Sequence, residues 1–362
     1  MVSSVYIHIP FCSKICTYCN FSKVHYNTII VDKYLISLEE EIKARYKGET
    51  IKTIYIGGGT PSSLNLKQLH KLFSIISIFK LDKNPSITIE LNPNDIIDEK
   101  IKLLTKYKVN RVSIGIQSFN KKILTLLGRT HTYSDVKKAI NLLHSYNIND
   151  INLDLIYGIN TQTIKDLKED INLFLKLDIT HIATYSLILE ESTILYNNNY
   201  QVIDEDIEYD MYKYINKTLT SKGFNQYEIS NYAKVGYESI HNLVYWSNKE
   251  YYGFGVGSAS NIGNKRYTCI NNIRKYIDKI YKYEEEIITL KKCEEYEYIL
   301  GLRKIKGINI EEFILKFNKS PLDNDVIKNL IKENKLLLEN NNLFINPKYI
   351  YISNEILLDI IN

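Results

Sequence analysis

Three cysteines near the amino terminus have a spacing that suits a metal cluster. Cys12, Cys16 and Cys19 directly follow a strand-like run, in the order C-x3-C-x2-C. Three thiolates on one loop can each bind one iron of a cubane 4Fe-4S cluster, which leaves the fourth iron without a protein ligand. A metal site that binds a substrate needs open coordination of this kind. A zinc site with His25 as fourth ligand is the alternative, although the paired C-x2-C spacing typical of zinc is missing.

The composition disfavours several classes of protein. The chain has 362 residues, with 46 Lys and Arg against 42 Asp and Glu, and this balance gives no support for a nucleic-acid partner. Hydrophobic residues make up 44% of the chain, which suits a soluble protein with its own core. No run approaches the roughly 18 uninterrupted apolar residues of a membrane-spanning helix. Because the cysteine count is odd and no leader sequence is evident, we expect a protein of the reducing cytoplasm.

Short β-branched runs alternate with amphipathic helical patterns through the first half of the chain. Such alternation predicts an α/β fold with a parallel sheet, open or barrel-like. Six units are two fewer than a complete eightfold barrel, so we expect a partial (β/α)6 barrel with its ligands at the carboxyl ends of the strands. The predicted strands are Val5–Ile9, Thr53–Ile56, Ser86–Leu91, Arg111–Ile116, Asp150–Ile156 and His181–Ile188.

Polar residues and glycines follow the carboxyl ends of these predicted strands. Consecutive glycines let the backbone approach a ligand closely, and their N–H groups can meet a carboxylate. Because the carboxyl ends of parallel strands meet at one edge, we expect these side chains to gather around one ligand. They are Gly58, Gly59, Thr60, Glu90, Gln117, Arg129 and Asp154.

The regular alternation of strand-like and helical patterns ends after about residue 195. We expect three parts: a barrel core over residues 1–195, an extension over 196–290 and a smaller α+β region over 291–362. In the last part, helical patterns lead into a hairpin with Asn-rich turns, which is typical of a winged-helix-like unit. Basic residues are not concentrated there, so we interpret this unit as structural.

The cysteine spacing after the first strand resembles that of the radical S-adenosylmethionine (SAM) superfamily. The resemblance implies that the amino and carboxylate groups of SAM chelate the open iron, while the protein orients the cofactor. It also implies which residues contact SAM, namely Tyr6, Gly58, Gly59, Thr60, Glu90, Gln117, Arg129 and Asp154.

Within this superfamily, several segments resemble the group that contains the oxygen-independent coproporphyrinogen III oxidases and the HemW heme chaperones. These segments are residues 6–12, 59–61, 113–119 and 154–158. The oxidases carry a fourth cysteine two residues after the third, where this chain has Phe21. They also have an amino-terminal extension, which this chain is expected to lack. Both features favour the HemW group.

A further segment, His241-Asn242-Leu243-Val244-Tyr245-Trp246, resembles the HNxxYW motif of HemW proteins. A histidine is a normal axial ligand for heme iron, and Tyr245 and Trp246 offer flat apolar faces. The resemblance implies a chaperone that binds heme at His241, Tyr245 and Trp246 and passes it to acceptor proteins such as respiratory membrane enzymes. The alternatives are the coproporphyrinogen oxidase reaction and a radical SAM enzyme with another substrate, so enzymatic activity stays open.

Overall fold

The computed structural model describes residues 2–281 and 283–361. Its first half alternates strands and helices. The strands are β1 (Ser4–Ile9), β2 (Phe11–Cys12), β3 (Val24–His25), β4 (Ile51–Gly58), β5 (Leu81–Leu91), β6 (Arg111–Gln117), β7 (Asp150–Tyr157) and β8 (His181–Ser186). The helices are α1 (Thr28–Arg45), α2 (Leu66–Ile76), α3 (Asp98–Lys106), α4 (Lys121–Leu126), α5 (Tyr133–Ser145) and α6 (Ile164–Phe174).

The second half has shorter elements in two groups. The first group comprises α7 (Ile194–Asn197), α8 (Glu205–Ser221), β9 (Asn225–Gln226), β10 (Asn231–Ala233), α9 (Ile240–Trp246), β11 (Tyr252–Phe254), β12 (Ala259–Ile262), β13 (Lys265–Cys269), α10 (Ile273–Ile277) and β14 (Tyr283–Ile287). The second group comprises α11 (Leu290–Gly301), β15 (Ile308–Asn309), α12 (Ile310–Phe317), α13 (Asp325–Lys332), β16 (Leu336–Glu339), β17 (Asn342–Ile345) and α14 (Ser353–Ile361).

The main sheet confirms the predicted α/β class. Its strand order is β11-β1-β4-β5-β6-β7-β8-β10-β9. The six strands from β1 to β8 in this order all run parallel, as predicted for the six-unit partial barrel. The edge strand β11 adds in parallel to β1, whereas β10 pairs antiparallel to β8. Helices cover the sheet, so strands such as β1 and β6 are buried along nearly their whole length.

Capping boxes fix where three of the covering helices begin. In α5, the Thr132 hydroxyl accepts from the N–H of Asp135, while the Asp135 carboxylate accepts from the N–H of Thr132. The same reciprocal pair starts α6 with Thr163 and Asp166. Each box satisfies donors that a helix start leaves unpaired, so the loops at the strand ends have a defined length.

The packing forms two large hydrophobic cores and a smaller cluster that includes Ile156 and Leu195. The first runs from Val2 to Tyr276 and includes Phe254 of β11, so the middle part of the chain packs with the barrel strands. The second runs from Tyr298 to Ile360. The gap between the cores lies near the expected boundary at residue 290, while the division into three parts stays a prediction.

A buried carboxylate ties the middle part of the chain to α1. Glu41 is 1% exposed, and its oxygens accept from the N–H of Gly255 at 2.8 Å and from the Tyr276 and Tyr283 hydroxyls at 2.5 and 2.9 Å. Arg45 adds an ion pair at 2.7 Å. Because a buried charge is tolerated only when it is paired, this network fixes the end of β11 against α1.

The carboxyl-terminal part contains the expected hairpin. Strands β16 and β17 pair antiparallel, and Asn340 and Asn341 between them adopt positive φ angles of 49° and 63°. With β15 they form a three-stranded sheet beside α11 to α14. Among the helices of residues 2–281 and 283–361, none has the length and apolar character that crossing a membrane requires.

Candidate functional site

A cavity of about 400 Å³ lies among the parallel strands. Alternate residues of β6 line it from one end to the other, namely Arg111, Ser113, Gly115 and Gln117. Side chains of a strand alternate between its faces, so the cavity follows this strand from its amino end to its carboxyl end. It therefore has an upper end at the carboxyl termini of the strands and a lower end at their amino termini.

The three cysteines of the predicted cluster site line the upper end of the cavity. Their loop is held at several points. The Thr17 hydroxyl donates to the Leu126 carbonyl at 2.7 Å, and the Thr17 carbonyl accepts from the N–H of Leu195 at 3.0 Å. The ring Nε2 of His8 lies 2.8 Å from the Ser22 carbonyl oxygen. These bonds order the loop around the thiols in the described conformation.

The cysteine thiols have partners that suit bound thiolates. The Thr60 hydroxyl lies 3.5 Å from Cys12 Sγ, and the Arg129 guanidinium lies 3.4 Å from Cys16 Sγ. Burial raises the pKa of Cys12 to about 11 and also raises the pKa of Cys19. A bound metal would overcome this effect, because a coordinating thiol is deprotonated.

The thiols do not converge on one point. Within the part of the chain that the structure describes, no group of three or more His, Cys, Asp or Glu side chains is close enough to hold a single metal ion. A mononuclear zinc site needs such convergence. A cubane needs only that each thiolate reach its own iron, so the donor set fits the cluster.

The glycine turn after β4 has no room for side chains. Gly58 has a φ of +116°, and a Cβ atom there would lie 2.5 Å from the His8 ring. A Cβ atom on Gly59 would lie 2.8 Å from the backbone of Pro10 and 3.0 Å from Cys12 Sγ. The turn therefore brings the backbone directly against the cysteine loop, which only glycine permits.

Glu90 lies beside this turn and is held by two donors. Its Oε2 accepts from the N–H of Gly58 at 3.0 Å, and its Oε1 accepts from the Tyr55 hydroxyl at 2.9 Å. Burial raises the pKa of the Glu90 carboxyl to about 7. Tyr55 was not among the predicted site residues. Its place on β4, two residues from Gly57, could have indicated that it faces the cavity.

Asp154 lies one strand away from β6, on β7. Its Oδ1 accepts from the Asn152 amide at 2.7 Å and lies 3.4 Å from Ser113 Oγ. Burial raises the pKa of Asp154 to about 6. The hydrogen-bond network continues toward the lower end of the cavity, since His181 Nδ1 lies 2.6 Å from Asn152 Oδ1. Sequence reasoning missed Ser113, Asn152 and His181, although each occupies an alternate position of a predicted strand.

Gln117 and Arg129 carry polar atoms without partners. Gln117 has a φ of +70°, which is uncommon for a residue with a side chain, and its buried Oε1 has no hydrogen-bond partner within the described ranges. Arg129 donates from Nη2 to the Gly115 carbonyl, while its buried Nε has no such partner. Unpaired buried polar atoms are rare in proteins and fit a site made for a polar ligand.

Tyr6 does not line the cavity with the other predicted SAM contacts. Its hydroxyl lies 3.0 Å from His8 Nδ1, and its ring stacks on Tyr55 with centroids 6.2 Å apart. The structure thus gathers Gly58, Gly59, Thr60, Glu90, Gln117, Arg129 and Asp154 around the cavity and places Tyr6 behind them.

The predicted heme residues lie at the lower end. His241 is 2% exposed, and its Nδ1 and Nε2 lie 2.8 Å from Thr53 Oγ1 and 2.7 Å from the Tyr245 hydroxyl. Its ring lies 5.3 Å from that of Tyr55. Burial lowers the pKa of His241 to about 3, so the ring is neutral with both nitrogens paired. His241 does not line the cavity, whereas its neighbour Asn242 does.

Trp246 takes a different position from His241 and Tyr245. The Arg303 guanidinium lies 5.8 Å from its ring, and its buried Nε1 has no partner among residues 2–281 and 283–361. The structure therefore joins His241 to Tyr245 but does not assemble the three residues around an open heme site. Gly58 lies five positions after Thr53, a rise of about 17 Å along β4, so the two predicted sites lie toward opposite ends of this strand.

Comparison with known proteins agrees with the chemistry of the upper end. The sequence profile of the Radical SAM superfamily matches residues 6–174. The heme chaperone HemW of Lactococcus lactis is 39% identical, over 99% of this chain and 98% of that protein. HemW of Bacillus subtilis is 40% identical, over 88% of each.

Among solved structures, coproporphyrinogen III oxidase (HemN) of Escherichia coli superposes with a TM-score of 0.87. The match covers 99% of this chain and 90% of that chain at 20% identity, so it shows a shared fold. Superfamily membership implies a 4Fe-4S cluster and SAM, for which the three thiols and the unpaired polar atoms of the upper end are suited. Sequence identity over the whole length places the chain in the HemW family of the radical SAM superfamily.

Proposed function

We propose that this protein is a heme chaperone, which binds heme and passes it to acceptor proteins. The observation that carries the proposal is the 39% identity, along 99% of the chain, to a protein named as a heme chaperone. The segment His241 to Trp246 supports it, because the segment supplies a histidine and two aromatic rings, which suit an iron porphyrin.

In this proposal the upper end of the cavity holds the cofactors. Cys12, Cys16 and Cys19 would hold the cluster, which supplies one-electron chemistry to bound SAM. Arg129 would balance negative charge beside Cys16. Gln117 Oε1 would accept a hydrogen bond from the ligand, and Glu90 would face its amino group.

The proposal extends to compartment and partners. Cluster assembly needs reduced thiols at Cys12, Cys16 and Cys19, which a reducing cytoplasm maintains. The acceptors would be heme proteins such as respiratory membrane enzymes. The protein would bind them transiently rather than become one of their subunits. A nucleic-acid partner has no place in the proposal, since the net charge is only +4.

The coproporphyrinogen oxidase reaction is the second candidate, because HemN shares the fold. One feature at the cavity mouth separates the two. Phe21 stands where the oxidases have a fourth cysteine, and its side chain is 63% exposed on the lining of the cavity. An exposed phenylalanine offers an apolar surface and no thiol, so the chaperone is favoured.

The test combines two measurements on one anaerobically reconstituted sample. Titration with heme, followed by its absorbance, should show one heme per chain, and His241→Ala should weaken that binding. His70→Ala, which changes an exposed histidine, is the matched control and should bind heme as the parent does. Unchanged affinity in His241→Ala would contradict the assignment of His241.

The second measurement adds coproporphyrinogen III and a reductant to the same sample. Protoporphyrinogen formation would contradict the chaperone proposal and establish the oxidase. Release of 5′-deoxyadenosine that a fraction of cell extract accelerates would instead indicate a radical enzyme with another substrate.

A further inference from the structure

His241 occupies a position from which it cannot bind heme iron. An axial ligand needs a free nitrogen lone pair and space for a flat porphyrin beside it. Here both ring nitrogens are paired, at 2.8 and 2.7 Å. The Tyr55 ring lies 5.3 Å away on one side, and the Tyr245 ring meets His241 edge-on at 5.0 Å.

The two partners of His241 come from different parts of the fold. Thr53 lies near the amino end of β4, on the barrel, where its side chain is buried. Tyr245 lies one turn further along α9 itself. The bond to Thr53 therefore fastens α9 to the barrel, whereas the bond to Tyr245 lies within the helix.

The segments on both sides of α9 contain residues with positive φ, and each is also bonded to the rest of the fold. Arg111 donates to the Tyr237 carbonyl at 3.0 Å, and Asn248 donates to the Cys293 carbonyl at 3.3 Å. Gly236, in the connection from β10, has a φ of +86° and open space around it. Asn248, just after the helix, has a φ of +47°. Two apolar side chains face solvent here, since Val235 in the first connection is 79% exposed and Ile240, the first residue of α9, is 59% exposed. Outward movement of α9 would carry Ile240 and His241 together, because they are neighbours on the helix.

We propose that Thr53 is a positioning residue for heme binding: it holds His241 in a locked position, and heme binds when α9 leaves the barrel. This inference rests on the proposed function, because it takes heme as the ligand of His241. In the locked state, Asn242 lines the lower end of the cavity, and both ring nitrogens of the neighbouring His241 are paired. In the open state, the imidazole is free to meet the iron.

If Thr53 holds His241 in a locked position, removing the Thr53 hydroxyl should strengthen heme binding rather than weaken it. A protein whose binding-competent state is a minor population binds with an apparent affinity reduced by that fraction. Loss of a bond that exists only in the locked state raises the fraction of protein molecules that are in the open, heme-binding state. Thr53→Val keeps the shape of the side chain and removes the hydroxyl, so the Kd for heme should fall about two- to tenfold.

The experiment titrates heme into parent, Thr53→Val and Thr53→Ser proteins and follows the heme absorbance bands. Thr53→Ser retains the hydroxyl and should keep the parental Kd, so it controls for the loss of a methyl group. Tyr245→Phe, which frees Nε2 while keeping the ring, removes a bond within α9 rather than one to the barrel, so it should tighten heme binding less than Thr53→Val does. Tyr251→Phe is its control, because Tyr251 packs against Tyr245 with ring centroids 4.5 Å apart but does not bond to His241.

His241→Ala separates failure of the lock from failure of the proposed function. If the parent binds no heme, the proposed function itself is wrong. If His241→Ala weakens binding while Thr53→Val leaves it unchanged or weaker, only the lock is wrong, and the bond to Thr53 does not limit heme binding at His241. If His241→Ala leaves the Kd unchanged, heme binds elsewhere and the lock is overturned as well. In the double variant Thr53→Val/His241→Ala, the increase in heme affinity that Thr53→Val causes should disappear.

Discussion

The two ends of the cavity show opposite states of hydrogen bonding. At the upper end, Gln117 Oε1 and Arg129 Nε are buried without partners. At the lower end, both ring nitrogens of His241 are paired within the protein. A buried polar atom without a partner costs about 1–3 kcal/mol, which a ligand can repay, whereas a paired group gains little from one. The upper end therefore offers buried polar atoms to a ligand, whereas at the lower end the ring nitrogens of His241 are already paired within the protein.

The upper end also tolerates fewer changes in shape than the lower end. Glycines at positions 58 and 59 bring backbone against the cysteine loop. The lower end instead includes a seven-residue helix whose His241 is bonded to Thr53 of β4. Trp246, whose Nε1 lacks a partner within the described ranges, is the exception at this end.

The largest expected effect concerns the thiols of the upper end. Replacing Cys12, Cys16 or Cys19 with Ser should reduce the iron content after anaerobic reconstitution from about four per chain to near zero, because each thiolate binds one iron. Iron analysis and the visible absorbance of the cluster measure the change. Cys293→Ser, a half-buried cysteine outside the loop, is the control and should retain the iron. Full iron content in the Cys16 variant would exclude Cys16 as a ligand.

The glycine turn should give the next largest effect. Gly58→Ala and Gly48→Ala both place a side chain at positive φ, but only the former meets another atom, at 2.5 Å from the His8 ring. The unfolding free energy of Gly58→Ala should therefore fall about 1–3 kcal/mol further than that of Gly48→Ala. Chemical denaturation measures both. Equal losses would show that the turn has more room than the structure indicates, and would weaken the contrast between the two ends.

Much of the upper end could be predicted from the sequence because its chemistry is local. The three cysteines lie within eight residues, and the other predicted side chains follow strands that the alternation of β-branched runs reveals. The predicted bounds agree to within one residue for β6 and β7, whereas β5 begins at Leu81, five residues before the predicted Ser86. Parallel pairing then brings the strand ends together without further information.

The lower end could not be predicted in the same way. The motif at residues 241–246 identifies residue types that suit heme, but it does not show what they contact. The partner of His241 is Thr53, which lies 188 positions away in the sequence. Neither the pairing of β11 with β1 nor the return of α9 to the barrel has a local signal, since both depend on packing of distant segments.

The burial of His241 should be visible as a pH dependence of stability. Burial lowers its pKa to about 3, against about 6.5 in an unfolded chain, so its contribution to stability is present above pH 6.5 and is lost as the pH falls. The advantage of the parent over His241→Gln in unfolding free energy should decrease by up to about 1.4 kcal/mol per pH unit below 6.5.

Denaturation curves between pH 4.5 and 8 measure this difference. The difference in unfolding free energy between parent and variant cancels the contributions of the other buried titratable groups, because both proteins contain them. His241→Asn should show the same change of slope. Parallel curves for parent and variant would mean that the folded protein protonates His241 freely, and the lower end would then be open.

The smallest expected effect tests whether the two ends are independent. Tyr55 contacts both, since its hydroxyl donates to Glu90 and its ring lies beside His241. Tyr55→Phe removes the hydroxyl and keeps the ring. The Kd for SAM should therefore rise about fivefold, the value of one ordinary hydrogen bond, while the Kd for heme stays unchanged.

Calorimetric titration of SAM into reconstituted protein, with a parallel heme titration, measures both constants. Tyr107→Phe, whose ring stacks on Phe73 with centroids 4.9 Å apart, is the control and should change neither. A change in heme affinity that matches the change in SAM affinity would contradict the independence of the two ends. Tyr55 would then transmit the state of the glycine turn to His241, and SAM bound at the upper end would set how readily the lower end opens.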